Sequence, residues 1–378
     1  MLNKIDKRLS EKITMSQCKN KDIDVIVYLN NYARDIVDIE KRYEGIIKLP
    51  FISSFAMKTN LGAITNIANL SCVKYITDSS KVCSQIFYSK KFIGIEKLYS
   101  LMKTYNKQTI AIIDTGIYPH IDFLLGKNRV IKFVDLIQYR EKMYDDNGHG
   151  TFIAGVLAGS GIAGKYSGID INAGLIVIKA LDGDGETSTS KILEAMQWVL
   201  DNKEKYNINT VCMSFGSIYR EGDPLVRGVN ILWDDGITVV TAGGNSGPDG
   251  GTIMSPGTSR KVITVGSLSN VRDTPWSVAD FSSRGPVENY YKPDMVLPGT
   301  DIISTAIFAD KNKFYTTMSG TSVSTPMVAG VCSLLKSINP NYTPNQIKYM
   351  LISSCVKIDG DRNAEGFGYL DLRNIRLL

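Results

Sequence analysis

Residues Thr109-Ile110-Ala111-Ile112-Ile113-Asp114-Thr115-Gly116 set an unbroken apolar run against an acid and a glycine. The run has no alternation of polar and apolar positions. A strand of this composition has no face suited to water and must be covered on both sides. Runs of the same kind recur at 175–181, 210–215, 238–242 and 262–267, with helical spacing between them at 191–205 and 225–235. Buried strands alternating with helices predict an α/β domain over 108–378, with a mostly parallel central sheet and helices on both faces. In such sheets ligands gather at the carboxyl ends of the strands, which is where Asp114 falls.

Upstream the pattern differs. Strand-like runs at 24–29, 46–53, 55–58 and 73–77 are interrupted by helical spacing at 33–43 and 61–70. The order βαββαβ predicts a small α+β domain over 21–85. Residues 1–20 are polar with poor periodicity and are expected to form a flexible arm. The lysine-rich stretch 86–107 is expected to be a connector with one short helix around 96–104.

Of the 378 residues, 43% are apolar and 21% charged, which excludes a disordered tail protein or a collagen-like repeat. A net charge of +5, from 43 basic and 38 acidic side chains, gives no basic concentration of the kind nucleic acid requires. No apolar run reaches the roughly 18 to 20 residues that cross a bilayer, so no membrane partner is expected. The opening residues lack an apolar signal core. With scattered cysteines and no CxxC, the six thiols are expected to be reduced and the protein cytoplasmic. Only His120 and His149 can serve as a proton shuttle, and two histidines exclude a multi-His metal site. No metal ligands are assigned.

Four short words carry chemistry. Asp114 in Asp-Thr-Gly reads either as a turn former or as a carboxylate held at a strand end. His149, in Asn147-Gly148-His149-Gly150-Thr151, precedes a helix, and its flanking glycines admit close backbone approach. His120, behind Pro119, lacks that setting and is expected to be a solvated loop residue. Ser322, in Gly320-Thr321-Ser322-Val323-Ser324-Thr325-Pro326, stands at a helix start, either as a cap or where free N–H groups favour negative charge. Asn245, in Gly243-Gly244-Asn245-Ser246-Gly247, reads as a loop residue or as an amide donor to an oxyanion.

Taken together, acid, base and nucleophile occur in the chain order Asp, His, Ser, which is that of subtilisin rather than of chymotrypsin or the α/β-hydrolases. With the words DTG, NGHGT, GGNSG and GTSVSTP, residues 108–375 resemble the subtilisin-like (subtilase) serine peptidases. The resemblance implies a serine endopeptidase working through an acyl-enzyme on Ser322, with His149 as base, Asp114 as its orienting acid and Asn245 as oxyanion donor. It implies that Ser214, Phe215 and Gly216 form one wall of a peptide cleft and Gly185, Glu186 and Thr187 the opposing strand. Gly243, Gly244 and Met254 would line the pocket between them. It further implies that the N-terminal domain is a propeptide, chaperone and inhibitor of a zymogen that cuts itself near residues 84–88, with 82–85 threading the cleft.

Several features depart from the family pattern. Phe152 replaces a second histidine, and Met327 holds a comparable place after the nucleophile. The loop that carries the strong calcium site of secreted subtilisins is missing between Gly159 and Ile169, with Asp122 as a survivor. Catalysis would need no cofactor, and a structural calcium stays open. Partners would be peptide substrates and the chain's own propeptide. Two other readings remain: a subtilase-fold regulatory protein kept capped by its N-terminal domain, and a spore-germination protease. Gly159-Ser160-Gly161-Ile162-Ala163-Gly164 matches a dinucleotide fingerprint, but no helix pattern follows it. Asp182-Gly183-Asp184-Gly185-Glu186 opens like an EF-hand, yet Thr187 and Leu193 occupy the required Gly and Glu positions.

Overall fold

A computed structural model describes residues 4–6, 9, 22–78, 85–126, 128–162, 166–269, 276–307, 314–358 and 360–378. They fall into two units, residues 1–83 and 84–378. In the first, strands β1 (Asp22–Leu29), β2 (Ile47–Leu49), β3 (Ser54–Asn60) and β4 (Val73–Asp78) form an antiparallel sheet ordered β2-β3-β1-β4. Helices Tyr32–Glu40 and Leu61–Ala68 complete the order βαββαβ. Each begins after an asparagine whose side chain accepts a first-turn N–H, Asn31 from Arg34 and Asn60 from Ala63. Val25, Val27, Phe55, Ile64, Ile67 and Ile76 fill the core between sheet and helices.

Two expectations for this unit change. Pro50 has no N–H to give a ladder, so β2 stops after three residues and a 3-10 turn, Pro50–Ile52, leads into β3. The described part of the expected flexible arm is packed: Ile5 bridges to Ile76, and Ile5 and Leu9 are buried.

The second unit is built on β5 (Thr109–Asp114), β6 (Val130–Asp135), β7 (Gly174–Lys179), β8 (Ile208–Met213), β9 (Thr238–Ala242), β10 (Ile263–Leu268) and β11 (Met295–Pro298). A hairpin of β12 (Ile302–Thr305) and β13 (Tyr315–Met318) stands apart, and β14 (Cys355–Val356) and β15 (Tyr369–Leu370) finish the main sheet. Its order is β14-β15-β11-β10-β9-β8-β5-β7-β6, parallel throughout except for β14 against β15. Every residue of β5, β7, β9 and β10 is buried, which is why these strands read as continuous apolar runs. The edge strand β6 is wetter, with Ile131 and Lys132 exposed, and its mixed pattern hides it in the sequence.

The helices pair. His149–Ala158 packs on Thr321–Ile338, which also lies along β8 to β11, while Thr189–Tyr206 packs on Pro224–Asp234. The stretch 86–107, expected as a connector, instead carries two helices, Gln85–Phe92 and Glu96–Leu101, within the second unit. Ile93, Ile95 and Leu98 are buried in that unit's core, so the stretch is part of the domain rather than a tether. Because β5 lies between β7 and β8, the chain turns to opposite sides of it in succession, and the loop after Asp114 sits at the switch point of the sheet.

Candidate active site

Asp114 ends β5 fully buried. One carboxylate oxygen, Oδ1, accepts the Thr115 N–H at 2.8 Å and lies 2.7 Å from His149 Nδ1. An ionised carboxylate can only accept, so Nδ1 carries the proton and Nε2 keeps its lone pair. His149 opens the helix His149–Ala158 after Gly148, whose φ of 102° only glycine adopts readily. Its side chain is 26% exposed, enough to meet a substrate. Burial alone would lower the imidazole's proton affinity; the charge and hydrogen bond of Asp114, with Asp145 adding, outweigh it and raise the pKa from its ordinary 6.5.

The two loops are bolted together by Asp145, which the motif reading passed over. Asp145 is buried and accepts from Thr115 Oγ1 at 2.9 Å, Gly148 N at 2.8 Å, Thr151 N at 2.8 Å and Thr151 Oγ1 at 2.6 Å. Thr115 Oγ1 in turn accepts the Gly150 N–H at 2.9 Å. The loops touch so closely that a Cβ on Gly150 would stand 2.3 Å from the Gly116 carbonyl oxygen. An acid four residues before the histidine, with a threonine two after it, was the available signal.

The serine and the asparagine come together about Gly320. Ser322 lies in the first turn of Thr321–Ile338, whose N-cap is Gly320, so its N–H has no partner inside the helix. Neighbouring Ser319 is occupied elsewhere, accepting the Asp301 N–H at 2.8 Å. Asn245 follows β9, and its Oδ1 accepts the Thr321 N–H at 2.9 Å and the Thr321 hydroxyl at 3.0 Å. With Oδ1 committed to donors, the amide Nδ2 is the free donating end. A Cβ on Gly320 would lie 3.1 Å from Ser322 Oγ and 3.2 Å from Asn245 Nδ2, so hydroxyl and amide converge on one spot.

Around this centre Ser214 is buried at the end of β8, and Phe215 and Gly216 run beyond it, half-buried and exposed. Gly185, Glu186 and Thr187 form no strand in the free chain. They close a turn in which Asp182 Oδ1 accepts the N–H groups of Asp184 and Glu186. The same bonds occupy the carboxylate that had suggested an EF-hand. Met254 stands between the two glycine walls: its Cβ would lie 2.7 Å from a Cβ on Gly216, and its Cγ 2.6 Å from one on Gly244. Beside it lies a cavity of about 370 Å³ lined by Ile218, Tyr219, Thr252, Thr258 and Glu288. Gly243 is anchored by its N–H to Val265 O at 2.9 Å.

His120 is not solvated. It is fully buried and caps the helix Ile121–Leu124, with Nδ1 accepting the Asp122 N–H at 3.1 Å and Nε2 donating to Phe314 O at 2.9 Å. Burial pushes its pKa down, against weaker raising by Asp122 and the Phe314 carbonyl, which suits this neutral tautomer. Asp122 does not fit a calcium ligand set. Its Oδ2 accepts from Gly161 N at 3.0 Å and Tyr315 OH at 2.8 Å. The guanidinium of buried Arg129 is seated on the carbonyls of Asp122, Ala158 and Ile171. Among the described residues no group of three or more His, Cys, Asp or Glu side chains is set to hold a metal. The expected threading segment 82–85 and the cut near 84–88 lie partly outside the described residues, which resume with the helix at Gln85.

Comparison with known proteins adds an independent line. Residues 106–369 match the model of the Subtilase family. The chain is 41% identical over 295 residues to Serine protease AprX of Bacillus subtilis, an alignment covering 70% of this chain and 65% of AprX. The alignment thus spans just under two thirds of that relative. It is 28% identical to the Thermostable alkaline protease of Halalkalibacterium halodurans, over 82% of this chain and 78% of that one. Among solved structures it resembles Sphericase, with a TM-score of 0.63 and 29% identity, covering 74% of this chain and 97% of that chain. The S41 Psychrophilic Protease is similar at a TM-score of 0.62 and 27% identity, with the same coverage.

Proposed function

The chain belongs to the subtilase family, and on that premise we propose that it is a serine endopeptidase using Asp114, His149 and Ser322, with Asn245 as oxyanion donor. The observation that carries the reading is the 2.7 Å Asp114–His149 contact, and the Ser322 hydroxyl and Asn245 amide drawn together about Gly320 support it.

In the proposed reaction Ser322 Oγ attacks the peptide carbonyl carbon while its proton passes to His149 Nε2. The carbonyl oxygen becomes an oxyanion held by Asn245 Nδ2 and the Ser322 N–H. The C–N bond breaks as His149 returns the proton to the leaving amine, giving the acyl-enzyme and a free amino terminus. Water then gives a proton to His149 and its oxygen to the acyl carbon. Collapse breaks the bond from the acyl carbon to Oγ, His149 returns the proton to that oxygen, and the carboxylic acid leaves with Ser322 restored. Asp114 stays ionised throughout and holds the imidazole in the tautomer that leaves Nε2 basic. No metal or cofactor is required by these steps.

Substrate would lie extended along Ser214–Gly216 and the 185–187 edge, recognised through its backbone. Met254 fills the slot between Gly216 and Gly244, so small P1 side chains would be taken over aromatic ones. Residues 21–85 would act as a propeptide; a separate βαββαβ unit with its own core supports this. The setting would be cytoplasmic; among the described residues Cys72, Cys212, Cys332 and Cys355 are free thiols, as a reducing compartment would keep them. No described helix is long and apolar enough to cross a membrane.

Intact-mass measurement over hours at neutral pH, on wild type beside Ser322→Ala, tests the zymogen reading. Loss of about 85 residues from wild type alone supports it; two chains that both keep their full length contradict self-cleavage.

A further inference from the structure

Lys179 closes β7 in register with Asp114. Its side chain is fully buried, and an ammonium group offers three N–H donors and no acceptor. All three have partners: Thr115 O at 2.6 Å, Asp146 Oδ1 at 2.6 Å and Leu181 O at 2.9 Å. The Tyr144 ring lies 5.0 Å from Nζ. The three acceptors belong to three segments. Thr115 follows Asp114 and receives the Gly150 N–H on its hydroxyl. Asp146 stands three residues before His149. Leu181 starts the turn that ends in Gly185–Thr187, and Asn147 Nδ2 ties the same turn to the histidine loop through Gly183 O at 3.0 Å.

A cation buried this deeply is costly to desolvate, and only one of its three partners, Asp146, carries the opposite charge. A hydrophobic side chain could fill the space but could not hold two carbonyls and a carboxylate at once. We propose that Lys179, paired with Asp146, is a positioning residue that fixes the Asp114 turn, the His149 loop and the 182–187 turn in one register and balances the field at His149. The inference rests on His149 being the general base. The charged groups acting on the imidazole are Asp114 and Asp145, which favour its protonated form; the Lys179–Asp146 pair joins both loops, through Thr115 O beside Asp114 and through Asp146 three residues before His149, and is neutral only while both members are present.

That neutrality gives a test with opposite signs. The acid limb of kcat/KM against a fluorogenic peptide is measured for wild type, Lys179→Met, Asp146→Asn and the double variant. Losing the ammonium leaves an unbalanced carboxylate and should move the limb to higher pH by about half a unit; losing the carboxylate should move it lower by about as much. The double variant should return near wild type in its limb while keeping a tenfold or greater loss in kcat/KM, because the clamp is gone. If Lys179→Met does not fold, Asp146→Asn, at a side chain 38% exposed, decides alone. A lowered limb supports the pair, and an unmoved limb overturns it. Two single variants shifting the same way also overturn it. His149→Ala separates the two levels: turnover surviving that change sinks the base assignment and with it this inference. Abolished turnover together with unmoved limbs sinks the clamp only.

Discussion

In the proposed mechanism Asn245 joins two tasks in one amide, and two substitutions should separate them. Its Oδ1 holds the start of the Ser322 helix through the Thr321 N–H at 2.9 Å and hydroxyl at 3.0 Å, while Nδ2 lies beside Gly320, as does the Ser322 hydroxyl. In Asn245→Ala both are lost. Removing an oxyanion donor costs about 100- to 1,000-fold in kcat, or roughly 3 to 4 kcal/mol, with KM little changed. Losing two hydrogen bonds worth about 1 kcal/mol each, at an exposed site where water can replace them, should destabilise the fold by about 1 kcal/mol. Asn245→Asp keeps the acceptor, so Thr321 stays bound, and a carboxylate at a helix N-terminus is favourable by about 0.5 kcal/mol. It has no N–H to give, however, and brings negative charge to the oxyanion. Its kcat should fall at least as far as that of the alanine variant, with a melting temperature at or above wild type. Steady-state kinetics on a peptide anilide give the first quantity. Melting of each variant in a Ser322→Ala background, free of self-digestion, gives the second. An Asn245→Asp enzyme with kcat within threefold of wild type would refute the oxyanion role, and equal destabilisation by both variants would refute the division of labour.

Other expectations follow from the same geometry. Because Asp114 raises the His149 pKa above its ordinary 6.5, kcat/KM should rise with pH through a midpoint above that value, and Asp114→Asn should lower the midpoint as well as the rate. The linked stability runs the opposite way: the His149–Asp114 pairing contributes fully below pH 6.5 and is lost as pH rises through the folded-state pKa, a difference that should vanish from melting curves of His149→Ala. Met254→Gly should raise kcat/KM for phenylalanine at P1 over alanine at P1 by about tenfold or more, read on paired substrates; an unchanged ratio would show that Met254 does not bound the pocket. Arg129→Met should lower the melting temperature by several degrees through three orphaned carbonyls, read by thermal melting beside wild type.

How far the sequence reveals this molecule depends on how local each cause is. Strands β5, β7, β9 and β10 are legible because burial on both faces writes itself as an unbroken apolar run. The order βαββαβ is legible from alternation and helical spacing. Edge strand β6 and the two-residue strands β14 and β15 are not, since their pairing is set by neighbours distant in sequence. The helix Gln85–Phe92 is hidden for another reason: with lysines at 90 and 91 and no marked apolar face, its place depends on the core it joins. Asp114, His149, Asn245 and Ser322 stand in glycine-framed words that can be read singly and gain meaning together. Asp145 and Lys179 have no such frame. Their roles arise from what folding brings to them, five donor contacts on one carboxylate and three acceptors on one ammonium. His120 shows the reverse error, since a histidine behind a proline looks wet until Phe314 and Tyr315 close over it.

The most direct measurement of the central claim is covalent labelling with a fluorophosphonate, which reacts with an activated serine and not with an ordinary one. Peptide mapping should find a single phosphonyl adduct, on Ser322, in wild type and none in His149→Ala at equal folding. No adduct in the folded wild-type chain, an adduct on Ser319 or Ser324 instead, or labelling of Ser322 that survives His149→Ala would contradict the assignment of nucleophile and base.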